Sequence, residues 1–427
     1  MSAAAPVTRL TWSQGWRYGL MGFALSFVAL PLYVVLPNYY AKAFGVPLAT
    51  LGAVLLGARL FDALIDPLLG RWSDRLFARS VRSVLAWSLP TAGVLGLGFA
   101  LLFFPPVRGS GNLVLWASAC LVVTYAAYSF LSITHQSWGA MLGGNEHQRS
   151  RVVAWREGLG LGGVIVASIV PTAFGLSATA VLFWIALAVG LWAWSAAPKP
   201  VPLPLYTPNT LGYPAPSVWL PLAQPGFRAL LAVFVVNGIA SAVPATLLLF
   251  FVQDRLQAPA HVEPRFLGSY FLCAAAGIPL WLHAVKRLGL ARAWGVGMLL
   301  SIAVFVFAAG LGAGDVTAFV LVCALSGVAL GADLALPSAL LAGVIAANGQ
   351  QGRAEGAYFG WWNFATKLNL ALAAGVALPA LGALGYVPGT RDAHALQTLT
   401  WAYCLLPCAL KLLAAGLLYT LIIRKTP

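Results

Sequence analysis

Arg59, Asp62 and Asp66 lie within the stretch RLFDALIDP, inside a run that is otherwise apolar. The chain has 427 residues and only 11 acidic side chains, so two of them one helical turn apart in such a run need a chemical reason. On a helix Asp62 and Asp66 fall about 40° apart around the axis and ~6 Å apart along it, with Arg59 on the same side. Ionised groups at a bilayer centre cost at least ~2.5 kcal/mol each and persist only where they face a protein interior and have partners. Two carboxylates this close do not both ionise cheaply, so they take up a proton or coordinate a small hard cation through oxygen. Either event cancels buried charge and frees a loaded site to reorient. The other reading is a salt bridge from Arg59 that only locks helices together.

Other polar residues sit in apolar runs with less specific signals. Lys367, in WWNFATKLNLAL, lies too deep in its run to snorkel easily and is a candidate counter-charge or a structural tether. Asp333, in GADLALP, is a candidate coupling residue or a structural partner. His135 and Gln136 in SITHQSW, Arg156, and Asn237 in NGIASAVPATLLLF are candidates for hydrogen bonding a solute; interhelical bonding is the competing use. Trp361 and Trp362 offer stacking surfaces for a sugar or lipid, or interface anchors. GLGLGG follows no strand and reads as small-residue helix packing rather than a dinucleotide loop. The five cysteines (Cys120, Cys273, Cys323, Cys404, Cys408) lack metal-ligand spacing and read as packing residues, so neither disulfides nor zinc are expected.

The elements that must position these groups follow from composition. Apolar residues make up 60% of the chain and charged ones 8%, which excludes a water-soluble surface. With a mean hydropathy of +0.86 the chain reads as an all-α polytopic membrane protein. Runs of spanning length fall at 17–40, 47–69, 82–104, 112–138, 157–175 and 177–197, then at 228–252, 266–285, 293–312, 316–346, 357–385 and 395–423. Twelve helices place both termini on the cytoplasmic side. The formal charge of +14 collects in loops assigned to that side, around Arg71, Arg75, Arg79 and Arg82 and again around Arg149 and Arg151, so it needs no nucleic-acid partner. No cleavable leader is expected, because the first run is long enough to span.

Residues 1–197 and 228–427 read as two six-helix bundles joined by a cytoplasmic proline-rich linker at 198–227, whose prolines favour extended backbone. The bundles echo each other. DPLLGRWSDRL (66–76) and IPLWLHAVKRL (278–288) align without a gap, sharing Pro67 with Pro279 and Arg75 with Arg287. In that register Asp62 faces Ala274 and Asp66 faces Ile278, so the carboxylate pair belongs to the first bundle alone.

With these residues in view the chain resembles a major facilitator superfamily (MFS) transporter, and more narrowly the glycoside-pentoside-hexuronide:cation symporters typified by the melibiose permease. GARLFDALIDPLLG is similar to that family's second-helix cation motif, GRWSDR to the superfamily's loop between helices two and three, and FGWWNFATKLNLAL to the family's eleventh helix. The resemblance implies cation binding at Asp62 and Asp66, with Arg59 and Lys367 as charge partners and Ser129 as a retained hydroxyl. It also implies substrate contacts at Ser26 and Ser132, where the sugar transporters carry aspartates. Ile65 stands where the family has an asparagine between the two carboxylates, which weighs toward a proton over sodium.

The expected protein is therefore a cation-coupled (H+ or Na+) symporter of a small solute, most simply a sugar or glycoside, working by alternating access of its two halves. A lysolipid or other amphipathic cargo, and a non-transporting membrane assembly factor on the same fold, are the alternatives. No enzyme activity, no cofactor and no metal beyond Na+ at Asp62 and Asp66 are expected. A monomer in the bacterial inner membrane is the expected form.

Overall fold

The computed structural model describes residues 10–200 and 217–425. Most of the expected linker therefore lies outside the described residues. Twelve long helices run through the rest: α1 Trp12–Phe44, α2 Leu48–Arg79, α3 Val81–Phe103, α4 Ser110–Met141, α5 Glu146–Ala173, α6 Gly175–Ser195, α7 Pro225–Arg255, α8 Glu263–Leu288, α9 Leu290–Ala308, α10 Val316–Ala347, α11 Glu355–Ala383 and α12 Ala393–Lys425. There is no strand among the described residues. The all-α, polytopic reading stands.

Several helices outrun the apolar segments that announce them. GRWSDR, expected as a loop, is helical, and α2 continues to Arg79 because nothing after Gly70 interrupts it. The connection to α3 shrinks to Ser80, which is extended (φ −177°, ψ 157°) and whose hydroxyl accepts from the Ser83 amide at 3.0 Å. α5 begins eleven residues before its expected start, at Glu146 rather than 157. A capping box explains this: the Asn145 side chain accepts from Gln148 N and the Gln148 side chain from Asn145 N. In α1 and α12 a π-helical turn, Pro31–Val35 and Trp401–Leu405, immediately precedes a segment with Pro37 or Pro407 at its start. Proline cannot donate to the ladder, and a locally widened turn accommodates it without ending the helix.

By contact the chain divides into two compact units. Unit 1 is Met1–Ala223 with Ala342–Phe364; unit 2 is Gln224–Leu341 with Ala365–Pro427. The first turns of α11 thus belong to unit 1 and the remainder to unit 2.

In unit 1, α1 packs against α5 and α6, and α2 and α3 pack against α4. The α1–α5 approach explains GLGLGG: a side chain at Gly163 would meet the Phe23 carbonyl oxygen at 2.3 Å, so only glycine permits the contact. Phe27, Phe99 and Phe183 form an aromatic cluster, Phe99 and Phe183 with centroids 4.9 Å apart. In unit 2, α12 packs against α7 and α9. Phe251 stacks on Tyr403 at 4.2 Å, and Phe266 meets Phe319 edge-on at 4.9 Å.

Candidate functional site: a carboxylate pair on α2

The charge pattern of α2 separates its two faces. Leu60, Leu64 and Leu68 recur every four residues and are exposed, Leu64 by 67%, as a lipid-facing stripe would be. Asp62 and Asp66, two residues along from Leu60 and Leu64, point the other way and are buried, Asp66 completely. Burial on the protein side is the condition that intramembrane carboxylates require.

Three other helices meet this face within unit 1. From α4, the Ser129 hydroxyl donates to Oδ1 of Asp62 at 2.6 Å. From α1, the π-helical turn presents Tyr33, and the Arg59 guanidinium lies over its ring, 4.2 Å from the centroid. Tyr125 of α4 stands beside Tyr33, ring centroids 5.8 Å apart. From α11, Gly360 lets the helix touch the α2 backbone, since a Cβ there would meet the Asp66 carbonyl oxygen at 2.6 Å. A buried hydroxyl donor and two buried carboxylates therefore lie on one face of α2, with a half-buried cation held by an aromatic ring a turn away from Asp62.

Two turns further along α2, Asp74 accepts from the backbone amides of Gly356 (2.6 Å) and Ala357 (2.9 Å), the first turn of α11. These amides have no partner inside their own helix, and a carboxylate there also complements the helix dipole. The Gly70 and Gly356 backbones touch beside it. Asp74 falls within GRWSDR but did not stand out in the sequence, because its pairing spans 282 residues.

The remaining expected residues of unit 1 divide into two groups. Gln136 donates to Ser132 Oγ (2.8 Å) and to Asn363 Oδ1 (3.3 Å), a half-buried polar strip joining α4 and α11. Ser26 is half-buried, with its hydroxyl against Gly160 of α5. Trp361 donates to the Val218 carbonyl at 2.8 Å and stacks near Trp219, while Trp362 is buried. His135 and Arg156 are engaged within the fold. His135 is fully buried, stacked on Tyr18 at 4.4 Å, edge-on to Trp194 and bonded through Nε2 to the Tyr18 carbonyl. Arg156 makes a two-pronged contact with Glu157 Oε1 at 2.9 and 2.6 Å.

Unit 2 contains Lys367, half-buried on the later part of α11, and a polar cluster that joins four helices. Asp333 on α10 accepts from Asn237 of α7 (3.0 Å) and Trp294 of α9 (2.8 Å) through Oδ1, and from Lys411 of α12 (2.7 Å) through Oδ2. Lys411 also donates to Asn237 Oδ1 at 2.9 Å, which closes a ring of three side chains. Lys411 and Trp294 had escaped notice in the sequence. Lys411 lies in the middle of the last expected span, and a search for a basic match to the lone acid of α10 would have found it.

The family description MFS/sugar transport protein matches residues 17–425. Over 438 aligned residues the chain is 24% identical to the uncharacterized symporter YjmB of Bacillus subtilis (strain 168), covering 97% of this chain and 93% of that one. A shorter stretch is 28% identical over 183 residues to the isoprimeverose transporter of Lactiplantibacillus pentosus, covering 39% of this chain and 37% of the other. Among solved structures, a bacterial homologue of the iron transporter ferroportin in an outward-facing state superposes with a TM-score of 0.71 at 16% identity, covering 97% of this chain and 100% of that one. The fucose:proton symporter of E. coli gives 0.62 at 16% identity, with 93% and 98% covered. At such identities these structures speak to the fold alone. Twelve helices, a match that runs nearly from end to end and the acidic pair of α2 converge: this chain belongs to the MFS/sugar transport protein family and is a multi-pass membrane transporter.

Proposed function

We propose that the protein is a cation-coupled symporter of a small solute of the sugar or glycoside class, with the coupling cation bound at Asp62 and Asp66. The observation that carries this reading is the Ser129–Asp62 hydrogen bond on the buried face of α2, which adds a hydroxyl oxygen beside two carboxylates. Two carboxylates and a hydroxyl around a removable charge suit a proton or a small hard cation. The relatives support the class, since those named above are called a symporter and an isoprimeverose transporter.

In this reading an empty pair carries buried negative charge and resists reorientation. Cation binding neutralises it, releases Arg59 to settle on Tyr33 and Tyr125, and raises affinity for the solute; linkage requires the solute to tighten the cation by the same factor. Ile65 places a hydrocarbon where an amide oxygen would serve sodium, so a proton is the preferred coupling ion. Ser26, Ser132, Gln136, Asn237, Trp361 and Trp362 are the proposed solute contacts, with His135 and Arg156 supporting them. Lys367 and Asp333 are proposed charge partners. Two six-helix halves, 1–197 and 228–427, alternate access in the inner membrane, as a monomer with both termini in the cytoplasm.

Uptake into vesicles, with sodium and proton gradients imposed separately across a panel of sugars, glycosides, organic acids and lysolipids, tests the proposal. Accumulation of a sugar or glycoside driven by one cation gradient supports it. Folded protein that accumulates none of the panel under either gradient sinks it.

A further inference from the structure

Unit 2 contains a partly open cavity of about 180 Å³ that borders the Asp333–Lys411 pair. Among its lining residues on α10, Cys323, Ser326, Leu330 and Asp333 are spaced three, four and three apart along one helix face. Ser326 and Asp333 thus stand about 10 Å apart along the axis at two levels of the same space. The other walls are mostly apolar and aromatic, with Phe305, Phe319 and Tyr403, and include Ser241 and Ser301.

Two unmet hydrogen-bonding capacities border this cavity. Ser326 is 6% exposed, and its hydroxyl finds no partner among the described residues. A serine in a helix can usually satisfy itself on the carbonyl a turn earlier, so this orphan is a choice of the fold. Lys411 is the second: its bonds to Asn237 and Asp333 take two of its three ammonium hydrogens. Both residues line the same space, which the buried Ser326 hydroxyl reaches by rotation about its Cα–Cβ bond. Orphaned polar groups beside a cavity mark a place where a polar molecule completes the bonding.

Charge and size then define that molecule. Lys411 and Asp333 cancel, so an ionic ligand would bring uncompensated charge among apolar walls. A neutral oxygen can accept from Lys411 and exchange a hydrogen bond with Ser326. A volume of about 180 Å³ admits one six-membered ring with its substituents. We propose that this cavity is a second binding site, contained within unit 2, for a small neutral molecule that carries hydroxyl groups on an apolar ring. It does not depend on the cation pair of α2, and none of its tests reads uptake.

Two cysteines lining the cavity, Cys323 and Cys408, report on its occupancy. In the full-length protein carrying Cys120→Ser, Cys273→Ser and Cys404→Ser, the rate of N-ethylmaleimide modification is measured in detergent with trans-1,4-cyclohexanediol or with cyclohexanecarboxylate. The diol is expected to slow modification of Cys323 at least fivefold, and the carboxylate to leave it unchanged. Ser326→Ala should raise the diol concentration needed by about tenfold, the worth of one hydrogen bond. Thermal unfolding asks the same question without thiol access: the diol should raise the midpoint of the wild type and not that of Ser326→Met, which fills the space. Equal protection by the carboxylate, undiminished protection in Ser326→Ala, or no diol-dependent rise in the wild-type midpoint would each overturn the proposal.

Discussion

The Ser129 hydroxyl meets Oδ1 of Asp62 at 2.6 Å, across the contact between α4 and α2. That bond ties the helix bearing the carboxylates to the helix bearing Ser132 and Gln136, so an event at Asp62 is felt where a solute is proposed to bind. Hydrogen bonds to charged groups contribute roughly 1.5–3 kcal/mol. Ser129→Ala should therefore reduce gradient-driven uptake by tenfold or more while Ser129→Thr retains most of it. Initial rates under an imposed cation gradient check this, and equal rates in the two variants would dismiss the bond from coupling.

Asp62→Asn and Asp66→Asn each remove one ionisable group and keep the shape. Both should lose accumulation against a gradient while the protein remains folded in detergent. Solute counterflow, which needs no net cation movement, should survive better than accumulation. Wild-type accumulation in both variants would remove the pair from the mechanism.

Ile65 lies between the carboxylates on a half-buried position. At fixed pH the wild type should show no thermal stabilisation specific to sodium over potassium, whereas Ile65→Asn should acquire one. A clear sodium effect in the wild type would show that two carboxylates and a serine suffice without the amide oxygen.

Asp74 holds the first amides of α11 from 282 residues away. Asp74→Ala leaves two buried donors unpaired and should cost about 1–3 kcal/mol for each lost partner at most, seen as a lower unfolding midpoint. Asp74→Asn, which retains one oxygen, should fall between the two. An unchanged midpoint in Asp74→Ala would mean that water replaces the carboxylate.

In unit 2 Asp254 accepts from the hydroxyl of Tyr386 and from the Gly389 amide, and Arg391 joins at 3.5 Å, tying the α11–α12 connection to the end of α7. Burial, reinforced by the hydrogen bond to Asp254, pushes the Tyr386 phenol above its ordinary value. A raised phenol contributes stability that is fully present below about pH 10, its unfolded value, and is lost as the pH rises through the folded one. Tyr386→Phe should lower the midpoint at neutral pH and flatten its decline above about pH 10. An identical alkaline decline in wild type and variant would assign that decline elsewhere.

How much of this was legible beforehand varies with the range of each interaction. The carboxylates of α2 stood out because acids are so scarce in the chain, and the exposed leucines opposite them follow from the same four-residue spacing. GLGLGG was legible as packing for a similar local reason. The extent of α2 was not, since GRWSDR carries the polarity of a loop with the backbone preferences of a helix. Polarity alone also left His135 open, whereas its place between Tyr18 and Trp194 depends on helices far apart in sequence. Lys411 was missed because its meaning lies in Asp333, 78 residues earlier and on another helix.

That pairing sets the two units apart in a further respect. Lys411 occupies the place beside Asp333 and Asn237 that a dissolved cation would otherwise take, but it is attached to the chain. A tethered counter-ion has a local concentration fixed by its own backbone, and dilution or ion exchange in the medium does not alter it. In the proposed mechanism the charge of this cluster stays constant through a transport cycle, whereas the charge at Asp62 and Asp66 would follow the cation that the bath supplies. The membrane potential would thus act on the cycle through α2, with α10 and α12 electrically silent.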